Sequence, residues 1–312
     1  VDWRCRYTAV HLLTCAWEAN FLTQPSMVIT AFNLFLDATY DEIPRVAELS
    51  LYALGLIIAR VPELMQEEDY FERVAQTTAS SITASSSMML RVLWLLRRCF
   101  MCFDPLDNSS LLGVFFEPIS NMLMDVANLF DVDALDAAYG ALNSLIDYAP
   151  LSIVGQYRTL FERVISKIHE LINGDLSQMD EHNVSGLISV AMVLIMNMKS
   201  EISTIVPQLA ELLIPTLRLC HGNFIGDTLP ALGAIMRNAA KEFFPYLEQI
   251  VPLIRDYLSQ QEYVRPAAII TGDIMHVYGG NAVNDFSFVN LLFESLEIDD
   301  LPKDARHAVI VA

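Results

Sequence analysis

One half-helix occurs three times in this sequence, and that repetition constrains the fold more than any other feature. Residues 53–57 are ALGLI, residues 231–235 are ALGAI, and residues 141–145 carry the intermediate version ALNSL. Such self-similarity is typical of repeat architectures, in which each unit is one supersecondary element that cannot bury its apolar face alone. Neighbouring units must therefore stack, and we expect the repeated half-helix to form the stacking surface.

The period of the repeat indicates the class of unit. Phase markers, which are small or polar residues inside apolar helices, occur at Thr14, Gly55, Arg97, Asn143, Gly233 and Gly272. Successive markers are 41, 42, 46, 90 and 39 residues apart. The longest interval spans two units, and the copy between them, near Met192, is the least clear. Single units of this length are typical of HEAT or armadillo repeats and exceed the roughly 33 to 34 residues of ankyrin and tetratricopeptide units.

Second helices of complementary pattern are predicted between the marker helices. They cover residues 26–36, 70–80, 111–130, 154–173, 205–220, 246–258 and 286–296. Several have a proline near one end, where its missing N–H is tolerated. The predicted fold class is all-α: a HEAT-repeat α-solenoid, a right-handed superhelix of antiparallel helix pairs. We expect residues 1–312 to form a single array of about seven repeats, truncated at both ends, with no separate globular domain.

Composition agrees with a helical, protein-binding chain. The 54% hydrophobic fraction and only 12 glycines favour an all-helical chain with a large core. A net charge of -19 disfavours nucleic acid and anionic membranes and favours a basic partner. The longest nearly apolar run, residues 186–198, is shorter than the roughly 18 to 20 residues of a membrane span. We therefore expect a buried helix there and no membrane insertion.

No residue pattern indicates catalysis, a cofactor or a metal site. Cys99 and Cys102 match C-x-x-C, but no second pair completes four zinc ligands, so buried helix packing is the preferred interpretation. Cys220 and His221 form only a lone adjacent pair, and the six histidines show no ligand spacing. We predict a protein that is not an enzyme and needs no cofactor.

Residues 3–18, WRCRYTAVHLLTCAWE, resemble the segment W-R-x-R-x-A-A-V-x-A-F-G of the importin-β family of karyopherins, although Thr14 replaces the glycine. The positions that match are Trp3, Arg4, Arg6, Ala9 and Val10. Similarity continues in order at residues 51–63, 92–94, 137–150, 231–254 and 270–280. It covers essentially the whole chain and implies a fragment from the middle of the superhelix.

The resemblance implies a nuclear import receptor of the cytoplasm, the nucleus and the pore of the nuclear envelope. Such a receptor binds the basic importin-β-binding helix of importin-α, or basic cargo, on a concave acidic surface. It contacts Phe-Gly nucleoporins and releases cargo when Ran-GTP binds. In the family, tryptophans on the A-L-G helices clamp the basic helix. Trp94 matches one of them, and Tyr52 departs from the pattern at the equivalent place one repeat earlier.

The repeat register supports a binding surface around the same residues. Tyr52 and Trp94 each precede a phase marker by three residues, so both rings are expected at the same edge of adjacent repeats. Stacked aromatic rings there could hold Lys or Arg, at roughly 0.5 to 2 kcal/mol per contact. Glu48 lies one turn before Tyr52, and Asp136 lies one turn before Gly140, which places both carboxylates on that face.

Two interpretations of these residues stay open. Both rings could belong to the core instead of a binding surface. The acidic residues near predicted helix starts could cap free N–H groups and offset the helix dipole. These residues are Asp131, Asp133, Asp136, Asp180 and Glu181.

Other helical-repeat proteins are alternatives to an importin-β receptor. A transportin-like or exportin-like karyopherin has the same kind of repeats. A HEAT scaffold subunit of a phosphatase-type complex is a further alternative, although its regular period near 39 fits the observed spacings less well.

Overall fold

The structure, a computed structural model, describes residues 2–81, 86–108, 110–126, 132–174, 178–219, 223–279, 287–298 and 300–312. Within these ranges the regular elements are helices. The chain divides into two compact units, Val1–Gln156 and Tyr157–Ala312.

The first unit has two layers of helices. Its helices are α1 (Trp3–Glu18), α2 (Pro25–Ala38), α3 (Pro44–Arg60), α4 (Glu68–Ser81), α5 (Ser86–Phe100), α6 (Leu111–Val126) and α7 (Val132–Tyr148). Helices α1, α3, α5 and α7 pack side by side and carry the phase markers, so we call them the marker layer of this unit. Helices α2, α4 and α6 pack against α3, α5 and α7, respectively, which gives three successive helix pairs.

The second unit repeats this plan. The boundary between the units falls within α8 (Val154–Ile172), and α8 is followed by α9 (Gln178–Met198), α10 (Val206–Leu219), α11 (Asn223–Asn238), α12 (Ala240–Phe243), α13 (Leu247–Leu258), α14 (Val264–Tyr278), α15 (Ser287–Ser295) and α16 (Lys303–Val311). Its marker layer consists of α9, α11, α14 and α16, each packed on the next. Helices α10, α13 and α15 pair with α11, α14 and α16.

Helix α3 illustrates how the sequence specifies these elements. Pro44 begins the helix, where its fixed φ suits the first turn and its missing N–H costs nothing. Leu51, Leu54 and Ile58 follow the three- and four-residue spacing of one helical face and are fully buried. Each such side chain stabilises the fold by about 1.5 to 3 kcal/mol through burial. The helix ends at Arg60, just before a second proline, Pro62, begins a short 3-10 helix.

The predicted second helices are confirmed as α2, α4, α6, α8, α10, α13 and α15, with most ends shifted by one or two residues. The predicted helix 111–130 ends at residue 126 in the structure, and residues 127–131 lie outside the described ranges. Prolines mark helix boundaries as expected: Pro25 begins α2 and Pro302 precedes α16. That the whole chain forms one array of about seven repeats stays a prediction.

One continuous helical stretch, Glu181–Arg218, has the length and hydropathy that crossing a membrane requires, a test that core helices of soluble proteins also pass. It joins α9 to α10 through a 3-10 helix that contains Lys199 and Glu201. In α9, Leu187, Ala191 and Leu194 are buried, and α9 packs closely on α11. This packing confirms the predicted buried helix over residues 186–198.

Candidate partner-binding site

The two aromatic rings predicted at adjacent repeats lie together. Tyr52 on α3 and Trp94 on α5 stack with 5.6 Å between ring centroids and 27° between ring planes. Both side chains are half-buried, so each has one part packed in the marker layer and one part open to solvent. Offset stacking at this distance adds about 0.5 to 1.5 kcal/mol to the burial of the rings. The pair therefore belongs partly to the core and partly to the surface.

The phase marker Gly55 explains how the indole ring fits. The Trp94 ring lies directly against the Gly55 backbone, and a Cβ on residue 55 would overlap the ring. A glycine inside a helix costs about 1 kcal/mol relative to alanine. Here the missing Cβ lets α5 place its largest side chain against α3. The glycine of the A-L-G pattern thus leaves space for a side chain of the next marker helix.

The rings are already in contact with cations of the same chain. The Arg91 guanidinium lies 5.4 Å from the centroid of the Tyr52 ring, and the Arg98 guanidinium lies 5.3 Å from that of Trp94. Both arginines come from α5, three residues before and four residues after Trp94. The charged groups over the ring faces are therefore basic, whereas the expectation from sequence named only carboxylates, Glu48 and Asp136, on this face.

Glu48 and Tyr52 line a common concave pocket of about 700 Å³. Helix α1 contributes Trp3, Arg4 and Tyr7, α3 contributes Arg45, Glu48 and Tyr52, and α5 contributes Arg91. The Tyr52 hydroxyl also donates a long hydrogen bond of 3.4 Å to Oε1 of Glu18. The pocket is thus mixed in charge, with more arginine than carboxylate around its aromatic walls.

Asp136 is exposed on α7, the marker helix that packs next to α5. One turn further along α7, Gly140 lies beside the Arg97 guanidinium of α5. The structure therefore places Asp136 on the neighbouring helix but not in the pocket with Glu48 and Tyr52. Asp133 lies in the first turn of α7, where a carboxylate offsets the helix dipole, as the alternative interpretation expects. Asp131 and the Asp180 side chain lie outside the described residues.

Of the C-x-x-C pair, Cys99 lies in the last turn of α5, and Cys102 lies in the turn that follows and is only partly buried. Cys99 is fully buried, and burial raises the pKa of its thiol well above the ordinary value. Burial and the nearby Glu63 raise the pKa of Cys102 to about 11. Its Sγ donates to the carbonyl oxygen of Arg98 at 3.2 Å. Both thiols are therefore protonated and unreactive at neutral pH. Cys220 and His221 lie outside the described residues.

In the second unit, one acidic side chain takes the position next to the marker glycine Gly233. The Asp273 carboxylate of α14 lies against Gly233 of α11 and forms an ion pair with Arg237. A separate polar pocket of about 880 Å³ contains Ser185 and Asp227. The Ser185 hydroxyl donates to the Asp227 carboxylate, and burial raises the pKa of that carboxyl group despite this bond.

The sequence reasoning missed the arginines around the rings. Arg91 and Arg98 stand three and four residues from Trp94 on one helix, the spacing at which side chains meet on a helix surface. That spacing, together with the preference of guanidinium groups for aromatic faces, was the available signal. Arg45 stands three residues before Glu48, so the same spacing places it on the helix face that carries Glu48.

A family model described as importin subunit beta-1-like, TPR repeats, matches residues 74–312. Importin subunit beta-1 of Schizosaccharomyces pombe is 21% identical to this chain over 327 residues, and the alignment covers 99% of this chain and 38% of that protein. The Saccharomyces cerevisiae protein of the same name is 19% identical over 99% of this chain and 37% of its own length. The chain thus spans less than two fifths of these relatives.

Solved structures show the same fold. A crystal structure of importin beta superposes on 99% of this chain and 38% of its own chain with a TM-score of 0.86 at 19% identity. The Kap95:Nup1 complex covers 91% of this chain and 34% of its own at a TM-score of 0.80 and 19% identity. A structure of Kap95p with RanGDP covers 99% of this chain and 38% of its own chain, with a TM-score of 0.78 and 18% identity.

These likenesses confirm the predicted HEAT-repeat α-solenoid class. The family match also decides among the helical-repeat families that the sequence leaves open. Because that match covers more than half of the chain, the protein belongs to the importin subunit beta-1 family.

Proposed function

We propose that this chain is part of a nuclear transport receptor and that the marker layer of its first unit binds a basic helix. The proposed partner is the importin-β-binding helix of importin-α or a basic cargo protein. The observation that carries this proposal is the stacked pair of Tyr52 and Trp94, half-exposed on adjacent marker helices. Membership of the importin subunit beta-1 family supports it.

Binding proceeds by exchange of cations on the two rings. In the free protein Arg91 and Arg98 lie over Tyr52 and Trp94, which indicates that both rings accept guanidinium groups. An incoming Lys or Arg takes these places, and the two arginines swing into solvent. Glu48 and Asp136 offset part of the positive charge of the helix, and the net charge of -19 accelerates its approach. Burial of the aromatic rings by the helix supplies the apolar part of the affinity.

Ran-GTP and Phe-Gly nucleoporins are proposed as further partners of the longer receptor. Kap95p, which has this fold, is found in a complex with Nup1 and in a structure with RanGDP. A receptor of this kind moves between the cytoplasm and the nucleus through the pore of the nuclear envelope. Its activity is binding and release, without catalysis and without a cofactor.

Fluorescence anisotropy of a labelled importin-β-binding peptide, titrated with this protein at two salt concentrations, tests the proposal. We expect saturable binding that weakens with salt, because the partner is basic and the protein is acidic. Trp94→Ala is expected to weaken binding about 2- to 30-fold, the equivalent of one cation–π contact. Phe21→Ala is the matched control, since Phe21 is an exposed ring in the segment between α1 and α2 and not on α3 or α5.

Arg98→Gln sharpens the same experiment. Removal of Arg98 frees the Trp94 ring and removes a repelling charge, so we expect tighter binding of the basic peptide. Equal affinities of the wild type, the Trp94 variant and the Arg98 variant would contradict the proposed site. The melting temperature of each variant, followed by circular dichroism, shows whether an altered affinity reflects altered folding.

A further inference from the structure

The pocket between α1, α3 and α5 concentrates positive charge in an acidic part of the chain. Residues 1–156 contain eight arginines, no lysine and 19 acidic residues. Three of the eight arginines, Arg4, Arg45 and Arg91, line this single pocket, whereas Glu48 is its one acidic residue. Arg4 forms an exposed ion pair with Asp2 at 3.6 Å, whereas Arg45 and Arg91 pair with no carboxylate of the described residues, so their grouping in one pocket costs energy in the free protein. An anionic ligand would offset that cost.

Two of the pocket arginines, Arg45 and Arg91, differ in their bonding from Arg6 and Arg60 of the same unit. Arg6 forms a two-pronged ion pair with Asp41, with one N···O distance of 2.6 Å and another of 3.0 Å. Arg60 donates to the carbonyl oxygen of Trp17 at 2.9 Å. By contrast, no carboxylate of the described residues lies within 4 Å of the Arg45 or Arg91 guanidinium. Their hydrogen-bond donors are open to a ligand.

The shape of the pocket favours a peptide over a small anion. It crosses three adjacent marker helices, and packed helices are spaced about 8 to 10 Å apart, so it extends over roughly 16 to 20 Å. An extended chain covers that distance with about five or six residues. The walls contain Trp3, Tyr7 and Tyr52, which offer apolar surface that a free phosphate could not use.

We infer that this pocket binds an acidic peptide segment of a partner protein, through carboxylates that pair with Arg45 and Arg91 and with Arg4 at the α1 side. Guanidinium groups bind carboxylates in a two-pronged geometry, which gives stronger and more directional contacts than lysine would. This pocket binds an acidic ligand, whereas the surface proposed above binds a basic helix. The two share Tyr52 and Arg91, and they respond oppositely to loss of Arg91.

The test uses fluorescence anisotropy of a fluorescein-labelled octapeptide of alternating glutamate and glycine, with a glutamine-for-glutamate octapeptide as control. We expect the glutamate peptide to bind saturably and the glutamine peptide not to bind. The double variant Arg45→Gln/Arg91→Gln is expected to weaken binding about tenfold or more, because two charge-assisted contacts are lost. Both side chains are exposed, so the change does not disturb packing.

A matched double variant, Arg73→Gln/Arg158→Gln, removes the same charge elsewhere and is expected to leave the affinity unchanged within about twofold. Equal weakening by the two double variants would overturn the inference, because it would show attraction by overall charge alone. Absence of saturable binding to the wild-type protein would also overturn it. Displacement of the peptide by inorganic phosphate at low millimolar concentration would show a single-anion site and overturn the peptide assignment.

Arg91→Gln alone separates this inference from the proposed function. It is expected to weaken binding of the glutamate peptide and to strengthen binding of the importin-β-binding peptide, since it removes a cation that covers Tyr52. Weakening of both peptides by Arg91→Gln would contradict the separation of the two sites. Failure of the basic peptide alone would leave the acidic-peptide site standing.

Discussion

The two units use glycine in the same way but place different chemistry against it. In the first unit, Gly55 receives the indole ring of Trp94 from the next marker helix. In the second unit, Gly233 receives the carboxylate of Asp273 from the next marker helix. The glycine sets how closely the helices approach, and the facing side chain sets what the surface can bind. One repeat pattern thus gives an aromatic, arginine-rich face in one unit and an acid-containing face in the other.

The largest expected effect comes from adding a side chain at Gly55, against the Trp94 ring. Gly55→Ala places a Cβ inside the contact with the rigid Trp94 ring, so the ring and α5 must shift. We expect a loss of about 1 to 3 kcal/mol in the free energy of unfolding, as is typical of overpacked cores. Chemical denaturation measures it. Gly226→Ala is the control, since nothing lies within 4 Å of a Cβ there, and it is expected to stabilise by up to about 1 kcal/mol.

A second pair of variants compares tyrosine hydroxyls in the two units. In the second unit the buried Tyr257 hydroxyl donates to the carbonyl oxygen of Leu217 at 2.7 Å, near the end of α10, where carbonyls lack helical partners. Tyr257→Phe strands that carbonyl and is expected to cost about 1 to 2 kcal/mol. In the first unit the exposed Tyr40 shares a 3.0 Å bond with Thr77. Thr77 is itself buried, but its hydroxyl can turn to a backbone carbonyl of its own helix, so Tyr40→Phe is expected to cost less than Tyr257→Phe in the same denaturation assay. Equal costs would contradict the assigned difference in burial.

Gly233→Ala is expected to have a smaller effect than Gly55→Ala. The Asp273 carboxylate is the end of a flexible side chain and can turn away from the new Cβ, which breaks its ion pair with Arg237. A partly exposed ion pair contributes about 1 kcal/mol, and alanine recovers up to about 1 kcal/mol of helix propensity. The two terms nearly cancel, so the midpoint of denaturation should hardly move. A loss of unfolding free energy as large as that of Gly55→Ala would contradict this, because it would show that Asp273 yields no more easily than Trp94.

A pH-dependent effect is expected from an ion pair at the edge of the first marker layer. The hydrogen bond from Arg6 lowers the pKa of the Asp41 carboxyl group. A lowered folded-state pKa stabilises the fold above the unfolded value of about 3.9, and this contribution disappears as the pH falls through the folded-state pKa. Asp41→Asn should therefore lower the melting temperature at pH 7 and have little effect at a pH below the folded-state pKa of Asp41. A constant difference at all pH values would contradict this linkage.

The helix pairs and the meeting of Tyr52 with Trp94 were predictable from sequence because both follow from periodicity. Apolar residues at helical spacing define the helices, and a shared offset of three residues from the phase marker places the two rings at one edge. The arginine contacts were not predicted, because long flexible side chains choose among many partners only after the helices pack. Net charge was an equally poor guide to the local surface. A total of -19 did not exclude a pocket lined by Arg4, Arg45 and Arg91.

Fluorine NMR of the protein labelled with 5-fluorotryptophan tests the partner-binding surface most directly. The chain has three tryptophans, and Trp→Phe variants assign their resonances. Titration with the importin-β-binding peptide should shift the Trp94 resonance, while Trp17, only 5% exposed, should stay in place as the internal control. Binding that saturates without moving the Trp94 resonance would contradict the account, because the basic helix would then lie elsewhere.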